Sequence, residues 1–367
     1  MAQGQSQREL SRMLGDVHPD DLKEKKFRER VHREYRDLAD SMLTDDQRAR
    51  LQQLWAPVRW FVEGWWLLKG LMSFLSPTRK ALLLVGLILV LTRVSIHSDK
   101  VNTDESFVTA GLILVLFVLM LELKDKLLAK YELQDGRAVQ RALMPERSPV
   151  VPGWRLWLFT RAANEVGGDL VDFMRLEGGK TALTLGDVAG KGLKAALLTA
   201  KLQATLRALI PDSPSLVDLV SKANAVFRRD GLPQVFASVV SASIEPLIGT
   251  VRIVNAGHPP PLIVRHAAVE QLEKGGPALG LIDGAEFREQ VVELGPGEIV
   301  LIYSDGLIET RNVAGEFFGE ERLRLLLQGS CASEAAELGE GLVAACDRFQ
   351  GYAPAHDDLS LVVLQRA

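Results

Sequence analysis

A short apolar run, residues 181–185 (TALTL), stops at Gly186 and Asp187, and three glycines fall within positions 186–192 (GDVAGKG) before a helical pattern begins. The pattern reads as a strand that ends in a tight turn and delivers one carboxylate, Asp187, where little side-chain bulk blocks approach. Backbone N–H groups of such a turn, leading into a helix N-terminus, favour an anion. A hard cation can instead sit on the Asp187 oxygen and a turn carbonyl. An ordinary strand–turn–helix satisfies the same pattern. A Walker-type phosphate loop does not: only three residues separate Gly186 from Gly190 and Lys191, and Gly192 stands where Ser or Thr should bind magnesium.

Around this turn the chain from Trp154 onward reads as short strands punctuated by glycine-rich turns. Three open it, over 154–160, 170–176 and 181–187. Helical patterns follow at 193–209 and 215–229. Strands resume at 235–244, 250–255 and 261–265, with a weaker pair between 268 and 294 and a strong strand at 298–303. Helices at 320–327 and 332–349 precede a last strand, 359–365. Hairpin strands outnumber crossovers, so antiparallel sheets covered by helices fit better than a doubly wound parallel sheet.

Several acids stand where these strands meet loops: Asp169 after Gly167 and Gly168, Asp187 after Gly186, Asp305 before Gly306, and Asp357 with Asp358 before the last strand. Taken singly, each is an ordinary turn former. Gathered in one place, their like charges would repel unless a multivalent cation sat between them. All-oxygen ligation without Cys or His points to magnesium or manganese. Two such ions can generate a hydroxide and clamp a phosphoryl group.

The N-terminal third differs. The formal net charge of −4 argues against nucleic-acid binding. Six scattered histidines form no zinc-site spacing, and Cys331 and Cys346 read as buried thiols of a reducing compartment. The polar, mixed-charge opening has no signal-peptide pattern. Residues 1–50 suggest short amphipathic helices or a solvating arm. Residues 54–75 hold Trp55, Trp60, Trp65 and Trp66 among charges, which suits a helix in a membrane interface or a packed soluble helix. Two nearly uncharged runs, 81–96 and 107–121, with Arg93 snorkelling, read as a transmembrane hairpin whose basic flanks put both ends in the cytoplasm; a buried helical hairpin is the other reading. Residues 122–143 then form a charged helix with apolar positions three and four apart, suggesting a homodimer partner helix, and a proline-containing linker follows.

Five separated motifs occur in order: EVGGD at 165–169, GDVAGKG at 186–192, NAGHPP at 255–260, Ser304-Asp305-Gly306 with Glu309, Gly315-Glu316 and Phe318-Gly319, and Asp357-Asp358. Together they resemble the SpoIIE-type, RsbU-like branch of the PPM metal-dependent serine/threonine phosphatases, from about Ala138 to the C-terminus. The resemblance implies an α+β fold, a four-layer α-β-β-α sandwich with a metal pair at one end of two antiparallel sheets. Ahead of it the expected organisation is a helical, cytoplasmic or interfacial segment (1–79), two transmembrane helices (80–122) and a linker helix (123–146), with the phosphatase domain over 147–367.

By motif, Asp187 would bridge two Mn2+ or Mg2+ ions, the Val188 carbonyl would help hold one, and Asp305 and Asp357 would complete the set. These three aspartates form the expected catalytic group. Asp169, with Glu165, would sit at the edge of the cluster; Asp358 would point away or support Asp357. Lys191 and Arg161 are candidates for meeting substrate phosphate, and His258 reads as structural. The departures from the family pattern, Ala162, Leu170-Val171 and Ser360, touch no expected ligand, so an active enzyme is expected. The resemblance also implies a phosphoserine or phosphothreonine substrate on a STAS-type anti-anti-sigma regulator. With the hairpin, this gives a multi-pass bacterial membrane phosphatase with a cytoplasmic catalytic domain in contact with the bilayer. A non-catalytic docking platform and a small-molecule phosphohydrolase are the alternatives.

Overall fold

A computed structural model describes residues 75–91, 104–230, 235–266, 268–329 and 334–367, with isolated positions between 47 and 69. Residues 1–46, most of the tryptophan-rich stretch, the 95–103 connection and Cys331 lie outside the described residues, and with them the readings made for those segments. The chain divides into two compact units, Met1–Asp125 and Lys126–Ala367.

In the first unit, helix α1 (Pro77–Leu91) packs on the first part of helix α2 (Asp104–Leu143). The backbones approach closely at two glycines: a Cβ on Gly111 would lie 2.7 Å from the Gly86 carbonyl oxygen. Arg79 donates to Glu122 at 2.7 Å and to Asp125 at 2.6 Å, pairs that solvent screens.

The transmembrane hairpin, and with it the multi-pass membrane location, is corrected by these helices. Among the described residues no helix is long and apolar enough to cross a membrane. Helix α1 has 15 residues, about 22 Å at 1.5 Å per residue, against a hydrocarbon core of about 30 Å. The apolar part of α2 ends at Leu121, where Glu122, Lys124, Asp125 and Lys126 follow. The Thr, Ser and Arg93 flank that was to extend the first run lies outside the described residues.

The second unit holds the sheets. Strands β1 (Trp154–Arg161), β2 (Asp169–Arg175) and β3 (Thr181–Val188) precede helices α3 (Gly192–Leu209) and α4 (Leu216–Asp230). Then come β4 (Ala237–Ile244), β5 (Thr250–Ala256), β6 (Leu262–Arg265), β7 (Ala268–Gln271), β8 (Glu289–Glu293) and β9 (Ile299–Tyr303). A single turn α5 (Asp305–Ile308), helices α6 (Gly319–Gly329) and α7 (Ala335–Gln350), and β10 (Leu359–Arg366) complete the chain. One sheet runs β1-β10-β9-β6-β7 and the other β2-β3-β4-β5-β8, antiparallel throughout.

Side-chain alternation explains why the strands read as nearly continuous apolar runs. Leu156, Leu158, Leu183, Leu185, Val300 and Ile302 point between the sheets. Their neighbours point outward into two further cores: Ala182 and Val239 under α3 and α4, and Trp157, Leu301 and Tyr303 under α6 and α7. Both faces of each sheet are therefore covered, giving helices, sheet, sheet, helices. Burying each large side chain contributes about 1.5–3 kcal/mol, and fully buried Trp157 is among the largest. The α7 backbone reaches it at Gly339, where a Cβ would collide with the indole ring.

Candidate metal centre

Strand pairing assembles one end of the sandwich. Asp169, the first residue of β2, is the register partner of Asp187 near the end of β3. In the other sheet the β9–β10 ladder continues past the strands: Ser304 N–H donates to the Ser360 carbonyl at 2.9 Å, and Ser304 Oγ donates to the Asp358 carbonyl at 3.0 Å. Gly306 then lies so close to Asp358 that a Cβ would collide with its carbonyl oxygen. This contact sets Asp305, on α5, beside Asp357 at the start of β10.

The charges register the convergence. Burial pushes the Asp187 carboxyl up to about 7, with further contributions from Asp305, Asp357 and Asp358 and an opposing one from Lys191. Asp305 is raised by burial, then by Asp357 and Glu309. Asp169, half-buried, is held well above the usual carboxylate range by desolvation and then by Asp187 and Asp358. Its Oδ2 accepts the Ser360 hydroxyl, so this departure from the family pattern, expected to touch no ligand, does touch one of the expected set. Asp187, Asp305 and Asp357 thus stand within electrostatic reach of one another. Among the described residues, however, no three His, Cys, Asp or Glu side chains are arranged as a closed ligand cluster.

The donor set suits a hard divalent cation: carboxylate oxygens and one carbonyl, crowded enough that their mutual repulsion favours a positive charge. Space for it is kept by Gly168. A Cβ there would sit 3.1 Å from the Val188 carbonyl oxygen and 3.3 Å from Asp187 Oδ1, filling the cradle in front of both.

Asp358 does a different job from its neighbour. It is buried, and its carboxylate accepts N–H groups of Ala163 at 2.7 Å, Gly168 at 2.6 Å and Asp169 at 3.3 Å. Its side chain therefore points away from Asp357 and organises the 163–169 loop, while its backbone N–H donates to Asp357 Oδ1 at 3.0 Å. The resemblance already gave the two adjacent aspartates different roles, and the packing shows what Asp358 holds. Gln140 was missed: its side chain donates to the Gly167 carbonyl at 2.9 Å and accepts the Gly167 N–H at 3.2 Å, tying the end of α2 to the same loop.

The two phosphate candidates differ as well. Arg161 is committed to Asp347 by two bonds of 2.6 and 3.2 Å. Lys191 donates to the His356 carbonyl at 2.6 Å and lies 3.7 Å from Asp357, at the edge of the cluster. Glu165 is 3.8 Å from both Lys130 and Arg137. His258 is structural: Nδ1 accepts the Ser238 hydroxyl at 2.7 Å, and Nε2 donates to the Tyr303 carbonyl at 3.1 Å, joining the two sheets.

The family model for stage II sporulation protein E (SpoIIE) matches residues 177–367, just over half of the chain. The chain belongs to the SpoIIE family. It is a SpoIIE/RsbU-like member of the PPM phosphatases, as the five motifs imply. It is 26% identical over 230 residues to protein IcfG of Synechocystis sp., covering 55% of this chain and 36% of that one. It is 23% identical over 239 residues to the phosphoserine phosphatase RsbU of Bacillus subtilis, covering 65% and 70%. The chain thus spans about a third of the first relative's length and somewhat over two thirds of the second's. The crystal structure of the RsbU and RsbW domains of a Mycobacterium tuberculosis protein is 30% identical with a TM-score of 0.52, covering 59% of this SpoIIE-family chain and 61% of that one.

Proposed function

We propose that this SpoIIE-family chain is a metal-dependent phosphoprotein phosphatase that hydrolyses phosphoserine and phosphothreonine, with a phosphorylated STAS-type anti-anti-sigma regulator as its target. The single observation that carries the reading is the convergence of Asp169 and Asp187 from one sheet with Asp305 and Asp357 from the other at one end of the sandwich. Asp187, Asp305, Asp357 and the Val188 carbonyl would hold two Mn2+ or Mg2+ ions, with Asp169 at the edge. Bound there, such ions activate water and neutralise charge developing on the phosphoryl oxygens.

The protein's own contribution is position and clearance. Asp358 holds the Gly168 turn, and Gly168 keeps bulk away from Asp187. The Ser304–Ser360 ladder keeps Asp305 and Asp357 adjacent. Lys191 brings a positive charge to the rim, where a phosphate dianion would arrive. His258, pushed down to about 3 by burial, stays neutral with both ring nitrogens engaged, so it offers no proton to a leaving group.

A docking platform without catalysis would be expected to have lost a ligand aspartate, and none is lost. The exposed Leu127 and Tyr131 on α2 support self-association through this helix, which sedimentation at rising protein concentration tests. For the chemistry, Asp187→Ala and Asp305→Ala should each abolish Mn2+-dependent hydrolysis of p-nitrophenyl phosphate while far-UV circular dichroism persists. Turnover retained in either variant overturns the proposal.

A further inference from the structure

We propose that a groove beside the carboxylate cluster recognises the polypeptide around the phosphorylated residue, selecting a segment with an apolar side chain and a carboxylate close to the phosphoserine. This rests on the phosphatase reading above and adds a substrate class to it. The groove has a volume of about 830 Å³. It is lined by Leu133 and Arg137 of α2, by the loop that carries Glu165, and by Lys191, Gly192 and Leu193 at the start of α3.

Lys191 connects the groove to the chemistry. It lines the groove, and its ammonium also donates to the His356 carbonyl and faces Asp357. Lys191 is thus the residue at which a segment in the groove meets the carboxylates.

Charge and apolar surface specify the occupant. Lys130 and Arg137 share the single carboxylate of Glu165, each at 3.8 Å, while Lys191, also on the groove, faces Asp357. Contacts that long are looser than hydrogen-bonded ion pairs, so Arg137 can turn to a carboxylate on an incoming chain. The excess of positive charge complements an acidic flank and steers its approach. Leu193, 51% exposed, presents an apolar edge that an apolar neighbour of the phosphoserine would cover.

The test compares two substrates of the full chain in Mn2+: a phosphoserine peptide with Asp and Leu on one flank, and p-nitrophenyl phosphate, which has no flank. Arg137→Glu and Leu193→Asp should each lower kcat/KM for the peptide by about tenfold or more, mainly through KM, and leave p-nitrophenyl phosphate turnover within about twofold. A peptide with Lys in place of Asp should regain the loss in Arg137→Glu. Equal losses on both substrates, or no loss on the peptide, would overturn the groove. A wild-type chain that hydrolyses neither substrate would instead overturn the phosphatase reading beneath it.

Discussion

The Asp358 carboxylate accepts the Gly168 N–H at 2.6 Å across 190 residues of sequence, and so the residue that leads into the last strand of one sheet holds the turn that opens the site in the other. Replacing Asp358 by Ala leaves the N–H groups of Ala163, Gly168 and Asp169 without their acceptor. Outer positioning groups of this kind are worth about 10- to 100-fold in metal affinity or activity. The Asp358→Ala variant should bind Mn2+ that much more weakly in calorimetric titration, although Asp358 is not among the expected ligands.

Gly168→Ala tests the cradle directly. The new methyl would stand 3.1 Å from the Val188 carbonyl oxygen and 3.3 Å from Asp187 Oδ1, and 3.5 Å from the Ala195 side chain. The neighbouring protein atoms must give by a few tenths of an ångström, and a cation held in front of both oxygens would be displaced. The expected result is a melting temperature within a few degrees of wild type together with a loss of metal affinity of about tenfold or more. Wild-type affinity in this variant would remove Gly168 from the site.

The metal-free site should make stability fall with rising pH. Asp187 is raised from 3.8 to about 7 in the folded chain, so the folded state holds a proton that the unfolded state has already lost. Its effect is absent below about pH 4 and grows into a destabilisation as pH rises through about 7. With chelator present, the melting temperature of wild type relative to Asp187→Asn should decline across that window. Saturating Mn2+ or Mg2+ should remove the decline, because a bound cation replaces the proton.

His258 acts with the opposite sign. Its folded value, about 3, lies below the ordinary 6.5, so the unfolded state takes up the proton first as the solution is acidified. The stabilisation is complete above about pH 6.5 and is lost progressively as pH falls toward 3. Changing His258 to Gln should flatten that acid limb of the melting curve. A limb that keeps its slope would mean that other groups carry it.

Gly339→Ala should destabilise the chain at a point far from the aspartates. The added Cβ meets the ring of fully buried Trp157, which packs flat against Phe159 with ring centroids 5.4 Å apart. Overpacking of this kind costs about 1–3 kcal/mol, readable as a lower urea midpoint with metal affinity unchanged.

What the sequence determined by itself was local or repetitive. Strand runs, glycine turns and motifs are properties of neighbouring residues. The runs and turns sufficed for antiparallel sheets covered by helices, and the motifs, through the family they resemble, for the four layers and for proposing Asp169, Asp187, Asp305 and Asp357 as one group. The tertiary structure decided what depends on distant partners. It separated Asp357 at the rim, facing Lys191, from Asp358 inside, holding Gly168, and it turned Arg161 away to Asp347. It also overturned the membrane hairpin, since hydropathy reports how apolar a run is, whereas crossing a bilayer also needs an unbroken helix of sufficient length, and no described helix supplies both. Side-chain direction and helix extent are set by packing between segments far apart in the chain, and no window of sequence contains both sides of such a contact.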